Sequence, residues 1–114
     1  MNHAATPAQL GYRFPAEWEP HAATWLSWPH RRKTWQEHFE PIPDVWAELV
    51  RTLAPFEPVH VLAGGDAVMR QSREKIGDLP NVVLHDVRTN DAWTRDHGPT
   101  FLAGPAGTPA ALVD

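Results

Sequence analysis

Residues 58–87 constrain the fold more than any other part of the chain. Pro58-Val59-His60-Val61-Leu62-Ala63 and Val82-Val83-Leu84-His85-Asp86-Val87 are short strand-like runs, and between them residues 67–76 place Val68, Ser72 and Ile76 on one helical face. Gly64-Gly65-Asp66 supplies the turn into that helix with Asp66 as its N-cap, and Gly77 closes it in the usual C-terminal position. Strand, helix and strand within about thirty residues form a βαβ unit, so the two strands are expected to be parallel with a right-handed crossover. The class is therefore α/β.

The flanks extend the pattern. Ala22-Ala23-Thr24-Trp25-Leu26-Ser27-Trp28 reads as a further strand stopped by Pro29, and Trp28-Pro29-His30 leads into a basic loop. In residues 41–56, Val45, Trp46, Leu49, Val50 and Leu53 recur at helical spacing, which predicts an amphipathic helix bounded by prolines. Residues 1–19 show no periodicity and are expected to lie extended, disordered up to about Ala8, with Tyr12, Phe14 and Trp18 as anchors. Residues 100–103 and 110–113 are apolar runs joined by Gly104-Pro105-Ala106-Gly107-Thr108-Pro109, a predicted antiparallel hairpin. A chain of 114 residues suits one small domain, and its stop at Asp114 inside an apparent strand gives it the look of a truncated product.

Charge and composition exclude several functions. With 10 Lys+Arg against 14 Asp+Glu and no basic run longer than Arg31-Arg32-Lys33, there is no field to attract nucleic acid. Zero cysteines exclude a disulfide framework, a thiolate metal site and a thiol nucleophile within these residues. No apolar run is long enough for a membrane span and no leader pattern opens the chain, so the expectation is a cytoplasmic protein without a membrane partner.

Chemistry concentrates in Thr89-Asn90-Asp91-Ala92-Trp93-Thr94-Arg95-Asp96-His97-Gly98-Pro99. This loop leaves the C-terminal end of the run at 82–87, the place where ligands collect in open α/β sheets. A carboxylate beside an indole suits a flat cation, since the carboxylate accepts paired hydrogen bonds while the aromatic face stacks on the charge. Trp93 and Asp96 are the pair for this, and a guanidinium is the cation with the matching fork. The plainer alternative is that Arg95 forms loop salt bridges with Asp96 or Asp91. His97 beside Asp96 is a candidate general base, although neighbours in an extended loop point to opposite sides. A metal site from Asp91, Asp96 and His97 lacks a recognisable ligand spacing.

The remaining aromatic and imidazole groups read mostly as structure. His60 and His85 sit in strands as hydrogen-bonded core or face residues, and His3 and His38 read as exposed. His21 and His30 flank the strand of Trp25 and Trp28 and are expected to pack against those indoles or to border a pocket. Of the six Trp, Trp46 lies on the core face of its helix, and Trp25 and Trp28 are out of phase in one strand, so core packing accounts for most of the six better than a stacking platform.

Four motifs give the chain a resemblance. Phe14-Pro15-Ala16-Glu17-Trp18-Glu19-Pro20-His21, Thr24-Trp25-Leu26-Ser27-Trp28-Pro29, Phe56-Glu57-Pro58-Val59 and the loop at 89–99 are similar, in this order, to the N-terminal portion of the agmatine deiminase family, which includes bacterial-type peptidylarginine deiminases. The resemblance implies the first blade or so of a five-bladed α/β propeller of the pentein type, with residues 1–114 forming the N-terminal part of one deiminase domain. It implies hydrolysis of the guanidinium of agmatine to N-carbamoylputrescine and ammonia on the route to putrescine, with no cofactor and no metal. In that reaction a cysteine thiolate attacks the guanidinium carbon, ammonia leaves with help from a His acid/base, and water resolves the covalent thiouronium. Asp96 matches the family carboxylate that grips two guanidinium nitrogens, Trp93 matches the pocket indole, and Asp91 and Arg95 fall to supporting the loop. The family's nucleophilic Cys, its His and its second Asp have no counterpart here, so this chain alone is expected to turn nothing over. A peptidylarginine deiminase and a non-catalytic guanidinium-binding or interaction module stay open as alternatives, as does a homo-oligomer.

Overall fold

The computed structural model describes residues 4–113, so His3 lies outside the described residues. The chain divides into two compact units, His21–Asp96 and a second made of Met1–Pro20 with His97–Asp114.

The larger unit is built on a three-stranded sheet of β1 (Thr24–Ser27), β2 (Val59–Leu62) and β3 (Val82–His85). The strand order is β1-β2-β3 and both pairings are parallel, with Leu26 opposite Val61 and Val61 opposite Leu84. The βαβ pairing expected from residues 58–87 is present, and β1 joins the same parallel sheet. Parallel neighbours require crossovers, here α2 (Ile42–Leu53) between β1 and β2 and α3 (Asp66–Ile76) between β2 and β3. Strand side chains alternate between faces, so Leu26, Val59, Val61, Val82 and Leu84 share the face that packs against Ala47, Val50 and Ile76 of the helices. Trp28, fully buried in the same core, donates its indole N–H to Gln71 Oε1 at 2.9 Å.

The opposite face carries Trp25, His60, Val83 and His85. Trp25 stacks on His60 with centroids 4.4 Å apart, and His60 Nδ1 lies 2.8 Å from His85 Nε2. The reading of His60 and His85 as hydrogen-bonded face residues therefore holds. His21 and His30, expected to pack against the indoles or to border a pocket, meet Glu57 Oε2 at 3.1 Å and the Thr89 carbonyl at 2.9 Å, and His30 does border a groove.

Three local expectations are corrected. In α2 the buried stripe runs through Pro43, Ala47 and Val50, leaving Val45 and Leu49 on the exposed side. Ala47 and Val50, both fully buried, belong to the core cluster in place of Val45 and Leu49. At the start of α3 the cap is Gly65, whose φ of 96° favours a residue without Cβ, while Asp66 is the first helical residue and complements the positive end of the helix. The basic loop after Pro29 contains a short helix α1 (Arg32–Trp35) and a 3-10 turn at Gln36–His38.

The smaller unit holds a 3-10 turn at Ala8–Leu10 and a hairpin of β4 and β5, Thr100–Leu102 and Ala111–Val113, antiparallel as the sequence predicts. Arg13 pairs with Ala103 in an isolated antiparallel bridge, and its guanidinium meets both carboxylate oxygens of Glu19 at 2.9 and 2.8 Å. Tyr12 anchors this segment through its hydroxyl on the Pro109 carbonyl, 3.4 Å away. Phe14 and Trp18, expected as anchors, are 68% and 89% exposed. The described residues form these two sheets and no closed propeller. Among them no helix is long and apolar enough to cross a membrane.

Candidate functional site

The loop that follows β3 is organised, not loose. Gly64 allows its approach, because a Cβ at that position would stand 2.2 Å from the Arg88 nitrogen and 2.3 Å from the Val87 carbonyl carbon. His30 then holds the Thr89 carbonyl. Asp91 accepts a hydrogen bond from the Thr34 hydroxyl at 2.5 Å and from the Ala92 N–H at 2.8 Å, which turns the chain and buries Ala92. Burial opposes ionisation of Asp91 most strongly, yet the Thr34 hydroxyl, the Ala92 N–H and the nearby Arg31 and His30 together hold its carboxyl below the usual carboxylate value. Asp91 thus ties the loop to α1 through Thr34.

Residues Thr94–His97 form a single helical turn, α4. The Asp96 N–H donates to the Trp93 carbonyl at 3.0 Å, and Thr94 Oγ1 donates to Ser27 Oγ at 3.2 Å. A residue and its third neighbour fall on one face of such a turn, whereas adjacent residues diverge by about 100°. Trp93 stands immediately before this turn, and the backbone bond ties it to Asp96 within the turn. This replaces the extended loop assumed from the sequence, in which adjacent side chains would alternate. Arg95, Asp96 and His97 are all exposed, and Trp93 is 47% exposed.

Trp93 is not isolated. Its ring stacks on Trp35 with centroids 5.6 Å apart and planes at 29°, and Trp35 meets Trp46 edge-on at 5.8 Å and 74°. Sequence reasoning singled out neither Trp35 nor Thr34, which lie in a helix of four residues, too short to show a period. A Thr-Trp pair following Trp28-Pro29-His30 was the only signal available.

An open groove of about 370 Å³ lies beside the start of the loop, bordered by His30, Gly64, Gly65, Arg88 and Thr89. Neither Trp93 nor Asp96 borders this groove. Among the described residues no group of three or more His, Cys, Asp and Glu side chains is placed to hold a metal ion. An exposed indole and an exposed carboxylate are chemically suited to a flat cation.

The sequence profile of the Porphyromonas-type peptidyl-arginine deiminase family matches residues 13–114. The agmatine deiminase of Pseudomonas aeruginosa strain LESB58 is 38% identical over 106 residues, which cover 93% of this chain and 28% of that protein. The agmatine deiminase of Stutzerimonas stutzeri is 38% identical over 103 residues, 90% of this chain and 27% of the relative. Among solved structures, the agmatine deiminase of Enterococcus faecalis superposes with a TM-score of 0.83 at 29% identity, covering 97% of this chain and 29% of that one. The chain thus spans between a quarter and a third of the length of these relatives.

Proposed function

Because the chain belongs to the Porphyromonas-type peptidyl-arginine deiminase family, we propose that it supplies part of the substrate site of a hydrolase that converts a guanidinium to a ureido group with release of ammonia. Agmatine is the proposed substrate, giving N-carbamoylputrescine, since the relatives of highest identity named above are agmatine deiminases. In this reading residues 1–114 are the N-terminal part of one deiminase domain. The observation that supports the proposal is the α4 turn, which follows Trp93 directly and in which the Asp96 N–H returns to the Trp93 carbonyl. Asp96 accepts two guanidinium N–H groups, Trp93 stacks on the cation, and Asp91 holds the loop through Thr34.

The 114 residues contain no cysteine, so the thiolate that forms the covalent intermediate has to be supplied from outside them. The description of the matching family names peptidyl-arginine, which favours a second reading with arginine in a peptide as substrate. The test follows ureido product and ammonia with agmatine and with an arginine-containing peptide as competing substrates. The 114-residue chain alone should form neither product. The complete polypeptide encoded by its reading frame should convert agmatine with the higher kcat/KM. Preference for the peptide would establish the second reading. A reading frame without any cysteine, together with a chain that still binds agmatine, would instead establish a non-catalytic guanidinium-binding module.

A further inference from the structure

The segment leaving β1 meets the site loop at four places. Ser27 accepts the Thr94 hydroxyl, the His30 ring lies 2.9 Å from the Thr89 carbonyl, Thr34 donates to Asp91, and Trp35 stacks on Trp93. The last two contacts come from adjacent residues and grip the loop on either side of the buried Ala92. Trp35 is in turn backed by the Trp46 indole of α2. The Trp93 ring is thus covered by an indole on one face and still 47% exposed. An aromatic ring held in this way offers its other face to a planar cation.

We propose that Thr34 and Trp35 are positioning residues which fix the plane of the Trp93 indole, so that its uncovered face receives a guanidinium in preference to a non-planar ammonium. The inference rests on the reading of Trp93 and Asp96 as a guanidinium site. Two further observations bear on it. Gln36, which ends α1 immediately after Trp35, has φ 51° and ψ −124°, a strained conformation for a residue with a Cβ, and the strain sits where the helix must stop to leave Trp35 over Trp93. The indole N–H groups of Trp35 and Trp46 are buried without a hydrogen-bond partner among the described residues. Packing alone therefore holds Trp35, and a phenyl ring should take its place with little loss.

The test uses the indole N–H resonance of Trp93 in this chain, identified by its disappearance in Trp93→Phe. The probes are agmatine and 1,4-diaminobutane. The resonance should shift in Trp35→Ala and stay close to its original position in Trp35→Phe. Agmatine should move it at lower concentration than the diamine does, and Trp35→Ala should raise the agmatine dissociation constant by roughly three- to tenfold, the range expected for losing one aromatic pair. Trp35→Phe should restore it. Thr34→Val should weaken agmatine in the same direction, which keeps the test open if Trp35→Ala does not fold. A Trp93 resonance indifferent to both Trp35 variants overturns the positioning, whatever the ligand. A resonance that responds to Trp35 but to neither probe overturns the guanidinium site itself, and with it the preference assigned to Thr34 and Trp35.

Discussion

The Asp91 carboxylate ionises more readily than an ordinary side chain although burial works against it, because Thr34 and the Ala92 N–H both donate to its charged form. A carboxyl held below its reference value of 3.8 adds stability that is complete above that value and is lost as the pH falls through the lower folded value. Urea unfolding of the chain and of Asp91→Asn at a series of pH values checks this. The parent should be the more stable above pH 4, and the gap should close as the pH falls further; a gap independent of pH would remove the charge from the account. Asp96 makes a different prediction. As the acceptor for a bound guanidinium its charge is used only with ligand, so Asp96→Asn in the complete enzyme should lower kcat/KM for agmatine by about a hundredfold or more. The unfolding midpoint of the same variant should barely move, because Asp96 is exposed. Near-normal turnover would exclude Asp96 from the site.

Among the elements, the β2-α3-β3 unit was legible because each segment repeats its own period long enough to be recognised, and Gly77 does close α3 with φ 77° and an N–H to the Arg73 carbonyl. What escaped was set by partners distant in sequence. Two neighbouring stripes of α2 are apolar, and only the sheet decides that Ala47 and Val50 go inside while Val45 and Leu49 stay out. The site divides the same way: the density of polar groups in residues 89–99 marked Trp93 and Asp96, but the Thr34 to Asp91 bond joins residues 57 positions apart and left no local trace. Gly64 belongs to this class too, since nothing in Gly64-Gly65 distinguishes the glycine that meets a backbone from the one that caps a helix. Gly64→Ala should force Val87 and Arg88 away from β2 and cost about 1–3 kcal/mol in urea unfolding, as overpacking does. Gly77→Ala is the comparison, with a positive φ and no atom within 4 Å of its Cβ, so its cost comes from backbone strain alone. A Gly64→Ala variant as stable as the parent would mean that the approach of the loop to β2 is not tight.

At the scale of the whole chain, the main sheet has two strands, β1 and β3, each paired on one side only among the described residues. Its face away from the helices exposes Trp25 to 47% and Val83 to 43%. Beside β3 lies a groove of about 500 Å³ bordered by Ile76, Leu79, Val82 and Leu84. Unpaired backbone groups next to apolar side chains form a template for pairing with another copy, and a net charge of −4 on 114 residues gives only weak repulsion against it. The isolated chain should therefore self-associate as its concentration rises, and more strongly at high salt, where that repulsion is screened. Val83→Lys separates edge pairing from general instability. A lysine on the exposed face of an edge strand opposes pairing with a second sheet, yet Val83 lies outside the core cluster, so the variant should stay within about 0.5 kcal/mol of the parent in urea unfolding. Light scattering across a concentration series should show the variant monomeric where the parent is not. Equal association of the two proteins would move the contact away from β3, and a parent that stays monomeric throughout would show that this edge is already protected.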